Sequence, residues 1–293
     1  MKYIIELRRI RDFGEIINDT FTFLKQNFKP LFSSLLIICG FFVLMGTVTT
    51  AFSQISIYEG VGADSNQVSD YSSSGLNVGL GVIANGLVTV LSQFFVYLTS
   101  LCFVAVYLEK KEEKPTPQDV WNYFKHYFFR SLGSAFLLLI LACLGLLFCV
   151  IPGIYLMNIF YLVLPIMVME NASFNYSFNK SFKLIKDYWW TVFGIMFVCS
   201  LIVSVCGSIA SVPLALVSSL RPFVSMKYLS WPIMIFFSML QNILMLTYTI
   251  PSIAIALCYF NLEERKDGTG ILERIEMFGT HTDKADDLPA EQY

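Results

Sequence analysis

The chain has 293 residues, of which 56% are hydrophobic and 14% are charged, and its formal net charge is −2. Soluble domains carry about 25% charged residues and could not bury this much apolar surface in one core, so the composition excludes an ordinary water-soluble protein. The lack of a basic excess excludes a nucleic-acid-binding protein. Seven cysteines lie in apolar runs without a CxxC pair, which is typical of buried thiols rather than of a metal or disulfide site.

Six apolar segments are long enough to cross a hydrocarbon core, which takes about 20 helical residues. The predicted spans are 31–54, 79–108, 132–150, 154–169, 190–212 and 230–260. The sequence Ile151-Pro152-Gly153 divides the third span from the fourth, because proline breaks a helix and glycine permits a turn. The predicted fold class is an all-α, polytopic transmembrane helix bundle. Its domain, 30–262, lies between an N-terminal segment, 1–29, and a tail, 263–293, whose end we expect to be disordered.

The distribution of basic residues predicts the orientation of the bundle. If the N-terminus is cytoplasmic, 18 of the 20 Lys and Arg residues fall in cytoplasmic segments, and Arg221 and Lys227 alone fall outside. Cytoplasmic segments of membrane proteins carry such an excess. Both termini are therefore expected in the cytoplasm, which requires an even number of spans.

Three cytoplasmic segments repeat an aromatic residue, a lysine four residues later and an aromatic residue after three more, which places all three on one helical face. The triads are Phe21, Lys25 and Phe28; Trp121, Lys125 and Phe128; and Phe182, Lys186 and Trp189. Each ends an amphipathic stretch, 13–28, 117–129 or 173–188. We predict three repeats of an in-plane helix followed by a transmembrane hairpin. Lipid headgroups would then contact Lys25, Lys125, Lys183 and Lys186.

No catalytic or cofactor site is evident in the sequence. Both histidines, His126 and His281, lie outside the spans, no nucleotide-binding or nucleophile motif occurs, and no span core holds an ionisable residue. We therefore expect neither enzymatic activity nor a metal or cofactor. The polar residues within the spans are candidates either for interhelical hydrogen bonds or for the lining of a cavity. The main ones are Asn85, Gln93, Asn158, Gln241 and Asn242.

Three short motifs resemble those of a known membrane family. They are RDFGEI at 11–16, IPGIY at 151–155 and SFKLIK at 181–186. The family is bacterial and is labelled the membrane domain of glycerophosphoryl diester phosphodiesterase, with related integral membrane proteins. The resemblance covers roughly residues 10–265 and implies a multi-pass protein of the bacterial cytoplasmic membrane. It implies no activity, because the phosphodiesterase chemistry of fused members belongs to a separate soluble barrel for which this chain has no room.

Two functions from different classes fit these features. The first is a scaffold or accessory factor that binds lipid, a protein partner or a second copy of the chain through the basic amphipathic helices. The alternative is a transporter or lipid-handling protein for a neutral or amphipathic substrate, with a cavity at the last two spans. Pro213, Pro232 and Pro251 would free backbone carbonyls there.

Overall fold

The computed structural model describes residues 6–60, 68–110, 113–148, 150–220 and 227–268. Within these ranges the chain forms nine α-helices and one short 3-10 helix, without strands. The α-helices are α1 Phe13–Gln26, α2 Phe28–Gly60, α3 Val68–Glu109, α4 Pro117–Phe148, α5 Val150–Met169, α6 Phe174–Ile185, α7 Trp189–Leu220, α8 Lys227–Leu244 and α9 Thr249–Asp267. The 3-10 helix, Met245–Tyr248, joins α8 to α9.

Five helical segments of the described chain are long and apolar enough to cross a membrane, with mean hydropathies between 1.9 and 2.4. They are Phe28–Ile57, Val78–Glu109, Pro117–Gly145, Trp189–Val217 and Trp231–Asp267. The apolar stretch Gly153–Met169 of α5 is shorter. Several apolar helices of this length are compatible with the integral membrane protein that the composition predicts.

The predicted break between the third and fourth apolar segments does not interrupt α5. We expected it at 151–153, but α5, Val150–Met169, is helical through these residues. A proline removes one backbone donor without always ending a helix, and Pro165 also lies inside α5. Residue 149, which precedes α5, lies outside the described residues.

The predicted sixth span, 230–260, is not one continuous helix. Helix α8 ends at Leu244, the 3-10 helix follows, and α9 begins at Thr249. Pro251 explains the position of this break, because it has no N–H to donate to the carbonyl of Thr247 four residues earlier. Helix α9 also continues to Asp267, beyond residue 262, where we expected the tail to begin.

Helix α9 occupies the centre of the bundle. Its residues from Ser252 to Glu264 are all buried, and it packs against α1, α3, α5 and α7. A helix that is apolar all round is stable only when neighbours cover every side. Arg11, two residues before the start of α1, contacts α9 directly. Its backbone N–H donates to Oδ1 of Asn261 at 2.9 Å. The first and last described segments therefore lie at the same end of the molecule.

The three segments predicted as in-plane helices do not form equivalent units. Helix α1 is separate and buries Ile16, Thr20 and Phe23 along one face. Helix α6 is also separate, but it folds back against α5, with the Phe178 and Phe160 rings 6.2 Å apart. Segment 117–129 is instead continuous with the third span in α4, because no residue near 130 ends the helix.

A candidate intramembrane cavity

A cavity of about 790 Å³ lies among the apolar helices, between α3, α4, α5, α7 and the α8–α9 break. Most of its wall is apolar, and Leu138, Phe160 and Val203 are typical members. Cavities of about 300–1,000 Å³ with mainly apolar walls and a few polar groups are usual ligand sites. Polar side chains in the wall are Gln93, Tyr97, Tyr161, Ser200, Ser204, Ser208, Ser211, Gln241, Thr247, Tyr248 and Ser252.

One face of α7 supplies four of these hydroxyl groups. Ser200, Ser204, Ser208 and Ser211 follow one another at spacings of four, four and three residues, which aligns them along a single helical face. From Met196 to Ser211 the cavity follows α7 for about 22 Å at 1.5 Å per residue. That length is about three quarters of a hydrocarbon core about 30 Å thick.

The cavity is open at its side. All four serines of α7 are exposed although they line the wall, so the space is not sealed. The two flanking walls belong to different parts of the bundle: α4 packs on α2, α3 and α5, whereas α7 packs mainly on α8 and α9. The outward surfaces of both helices are apolar, with Phe136 65% and Val205 66% exposed. A molecule dissolved in lipid tails could thus reach the cavity directly.

The predicted polar residues divide between the cavity and a hydrogen-bonded cluster. Gln93 and Gln241 line the cavity. Asn242 is buried and instead donates from Nδ2 to Oγ1 of Thr50 at 3.2 Å, and Thr50 donates to Oδ1 of Asn85 at 2.9 Å. These bonds connect α8, α2 and α3. The predicted polar residues therefore include both cavity-lining side chains and side chains that form interhelical hydrogen bonds.

In the described ranges, two amide side chains have a buried atom without a hydrogen-bond partner. Oε1 of Gln241 is one such atom, and Gln241 lines the cavity. Nδ2 of Asn158 is the other, in a side chain that is 3% exposed and lies between the wall residues Met157 and Phe160. An unsatisfied buried amide costs free energy, about 1–3 kcal/mol in proteins, which a ligand could recover at Gln241.

The end of the bundle at which Arg11 meets Asn261, called the basic end below, holds a buried arginine. Arg11 is 1% exposed, and its Nε donates to Oδ2 of Asp19 at 2.7 Å. Its other guanidinium nitrogens donate to the carbonyls of Leu7 and Glu6. Arg265 joins the cluster from α9 by donating to the carbonyl of Arg11 at 2.9 Å. Such full pairing is what allows an arginine to be buried, and it fixes α1 on the end of α9.

A second charged cluster lies beside it. Lys180 of α6 forms ion pairs with Glu170 at 2.7 Å and with Glu263 at 3.4 Å, and the Tyr259 hydroxyl contacts both carboxylates. Burial alone would lower the pKa of Lys180, but the hydrogen bond and charge of Glu170 and the charge of Glu263 outweigh it and raise that pKa. Glu170, which directly follows α5, thus connects that helix to α6 and α9.

The lysines predicted to contact lipid headgroups are all exposed. They are Lys25, Lys125, Lys183 and Lys186. Lys125 lies over the Trp121 ring, with Nζ 5.0 Å from the centroid, as the helical spacing of that triad predicts.

Neither metal-binding clusters nor disulfides occur in the described part of the chain. No three His, Cys, Asp or Glu side chains come together there, and the six described cysteines are free. The seventh, Cys149, and His281 lie outside the described residues.

Sequence reasoning did not single out the serine face of α7 or the buried Arg11. Amides and charged residues stand out in an apolar span, whereas four serines at helical spacing are inconspicuous among other small residues. The spacing itself was the available signal. No sequence signal indicated that Arg11 is buried, because its partners Asp19 and Asn261 are brought together by tertiary packing.

Comparisons with protein-family models, with curated proteins and with solved structures find no match to this chain.

Proposed function

We propose that this protein is a six-span membrane protein that takes up an uncharged or amphipathic molecule from the bilayer, and that it acts in lipid handling or transport. The cavity of about 790 Å³ that opens between α4 and α7 is the observation that carries this proposal. An apolar wall with hydroxyl and amide groups suits a molecule with acyl chains and a neutral polar part. None of the described wall residues is charged, which argues against a bare ion as the cargo.

The proposed topology counts α2, α3, α4, α5, α7 and the pair α8–α9 as six crossings, with both termini in the cytoplasm. The contact of Arg11 with Asn261 supports an even number, because it holds the beginning and the end of the bundle together. Helix α5 has 20 residues, or about 30 Å, which suffices for one crossing. The cytoplasmic excess of Lys and Arg gives the direction.

We further propose that the exposed lysines at the basic end hold anionic headgroups and so position the protein, without enzymatic activity of its own. Lys125 over Trp121 is suited to this role, since the ring anchors at the headgroup level while the ammonium group faces phosphates. The motifs at 11–16 and 151–155 are also consistent with a bacterial cytoplasmic membrane. The scaffold function rests on these lysines alone, and the cavity favours lipid handling over it.

Photocrosslinking tests the proposal. The protein would be placed in nanodiscs that contain a phospholipid with a diazirine in its acyl chain, and crosslinked peptides would be mapped. We expect crosslinks on the wall segments of α4 and α7. Ser204→Trp should fill the cavity and reduce them at least five-fold. Val205→Trp is the matched control, because Val205 is the neighbouring residue and is 66% exposed on the outer surface. Equal labelling of both variants and the wild type would refute a ligand cavity.

A further inference from the structure

The hydroxyl groups of the cavity wall are oriented in a way that selects the ligand. Five of the nine hydroxyl groups on the described wall donate their proton to carbonyl groups of the protein at 2.6–2.9 Å, and four of these carbonyls lie three or four residues earlier in the chain. The donors are Ser200, Ser208, Thr247, Ser252 and Tyr97. Each hydroxyl oxygen then retains lone pairs but has no proton left to offer.

The unpaired amide oxygen at the α8 wall adds to this pattern. Oε1 of Gln241 is buried and accepts no hydrogen bond. A carbonyl oxygen is only an acceptor, and in surroundings of low dielectric constant an unpaired one is costly. The group that satisfies it must therefore bring its own proton.

Charge complementarity further restricts the chemical class of the ligand. Ammonium groups are donors, but a cation in this cavity would find no carboxylate among the wall residues that the structure describes to compensate its charge. Phosphate monoesters bring negative charge towards oxygen acceptors and would be repelled. The remaining class is an uncharged lipid that carries free hydroxyl groups.

On the basis of the proposed function, we infer that the cavity binds a neutral lipid through head-group hydroxyls that donate to Gln241 and to the serine face of α7, with the acyl chains along the apolar wall. Diacylglycerol is the simplest molecule of this class. The length of the serine face, about 17 Å from Ser200 to Ser211, offers acceptors at several depths to such a head group.

Competition experiments with the full chain in nanodiscs test this inference. The probe is a diacylglycerol with a diazirine in one acyl chain, and the competitors are diacylglycerol, its 3-O-methyl ether and phosphatidic acid. The ether keeps the shape and the oxygen atom but has no proton to donate. Loss of one hydrogen bond of about 1–1.5 kcal/mol makes the ether about ten-fold weaker as a competitor. Phosphatidic acid should compete no better than the ether.

Substitutions in the cavity wall test whether its residues cause the preference for the alcohol over the ether. Gln241→Leu should reduce the ten-fold preference for the alcohol to less than three-fold while labelling persists, and Ser208→Ala should reduce it in part. Gln26→Leu, in the exposed last turn of α1, is the control and should leave the preference unchanged.

The possible failures are distinguishable. Equal competition by the alcohol and the ether, or by phosphatidic acid, would overturn the inference while crosslinks on α4 and α7 still supported the proposed function. A preference that survives in both Gln241→Leu and Ser208→Ala would also overturn it. Absence of crosslinks from the cavity wall would refute the proposed function itself.

Discussion

The contact between α2 and α8 at Gly46 leads to a sharp prediction about stability. Gly46 is buried against Asn242, whose Cγ would lie 3.1 Å from an added methyl carbon, with its Oδ1 closer still. Gly46→Ala must therefore displace the Asn242 side chain, which also donates to Thr50 across the helix interface. Gly40, six residues earlier on the same helix, has no atom within 4 Å of such a methyl group and provides the matched control.

The expected magnitude follows from three contributions. Overpacking of a close interface costs about 1–3 kcal/mol. Loss of an interhelical hydrogen bond in a membrane protein costs about 0.6–1.7 kcal/mol. Replacement of glycine by alanine in a helix recovers about 1 kcal/mol, and both variants share this gain. We expect Gly46→Ala to lower the free energy of unfolding by about 1–3 kcal/mol, whereas Gly40→Ala should leave it unchanged or raise it by up to about 1 kcal/mol.

The assay is reversible unfolding in mixed micelles, followed by circular dichroism at increasing fractions of denaturing detergent. The double variant Gly46→Ala/Asn242→Ala separates the clash from a general effect of alanine. Removal of the amide should make the alanine at position 46 less costly than it is in the wild-type background. If Gly46→Ala proved as stable as Gly40→Ala, the close approach of α2 and α8 described above would be wrong.

The two charged clusters give two further predictions, with the free energy of unfolding as the readout. Arg11→Met should lower it by about 3–5 kcal/mol, since Asp19 loses its buried partner, while Arg9→Met, whose side chain is 51% exposed, should change it by less than about 1 kcal/mol. Similar losses in both variants would contradict the structural role of Arg11. Lys180→Met should cost about 2 kcal/mol, and the exposed Lys183→Met on the same helix much less. Because the folded-state pKa of Lys180 is raised, its contribution should be constant from pH 6 to 9 and decrease as the pH rises above about 10.4, the value in the unfolded chain. If the stabilisation by Lys180 were already lost when the rising pH reached 9, the ion pairs would not be what stabilises the fold.

Hydrophobic length and helix propensity were sufficient to predict most of the bundle. The predicted spans 31–54, 79–108 and 190–212 lie inside α2, α3 and α7, because long apolar runs have only one stable conformation in lipid. Prolines were harder to interpret, since their effect depends on their place in a helix. Pro165 lies inside α5, whereas Pro251 lies just after a break, and local sequence does not distinguish these positions.

The site was predictable only in part, because a cavity is defined by what surrounds it. Gln241 and Asn242 are adjacent in sequence, yet one faces the cavity and the other bonds to Thr50, since neighbouring residues on a helix point about 100° apart. Their different roles depend on where α2 and α7 pack. The same holds for α6: its helical face was predictable, but its packing along α5 rather than across the bundle end was not.

The bond between Arg11 and Asn261 also has a consequence for biosynthesis. The two residues are 250 positions apart, and a ribosome adding about 5–20 residues per second needs about 12–50 s to make that length. During this time α1 has left the ribosome while the helix that buries it does not yet exist. Phe23 can already pack on Phe103 and Tyr107 of α3, but the part of α1 that contacts α9 must stay uncovered until that helix is made. Completion of the chain, rather than insertion of any single span, would then be the event that locks the fold, and chains interrupted before residue 261 would display this uncovered part of α1 to quality-control proteases.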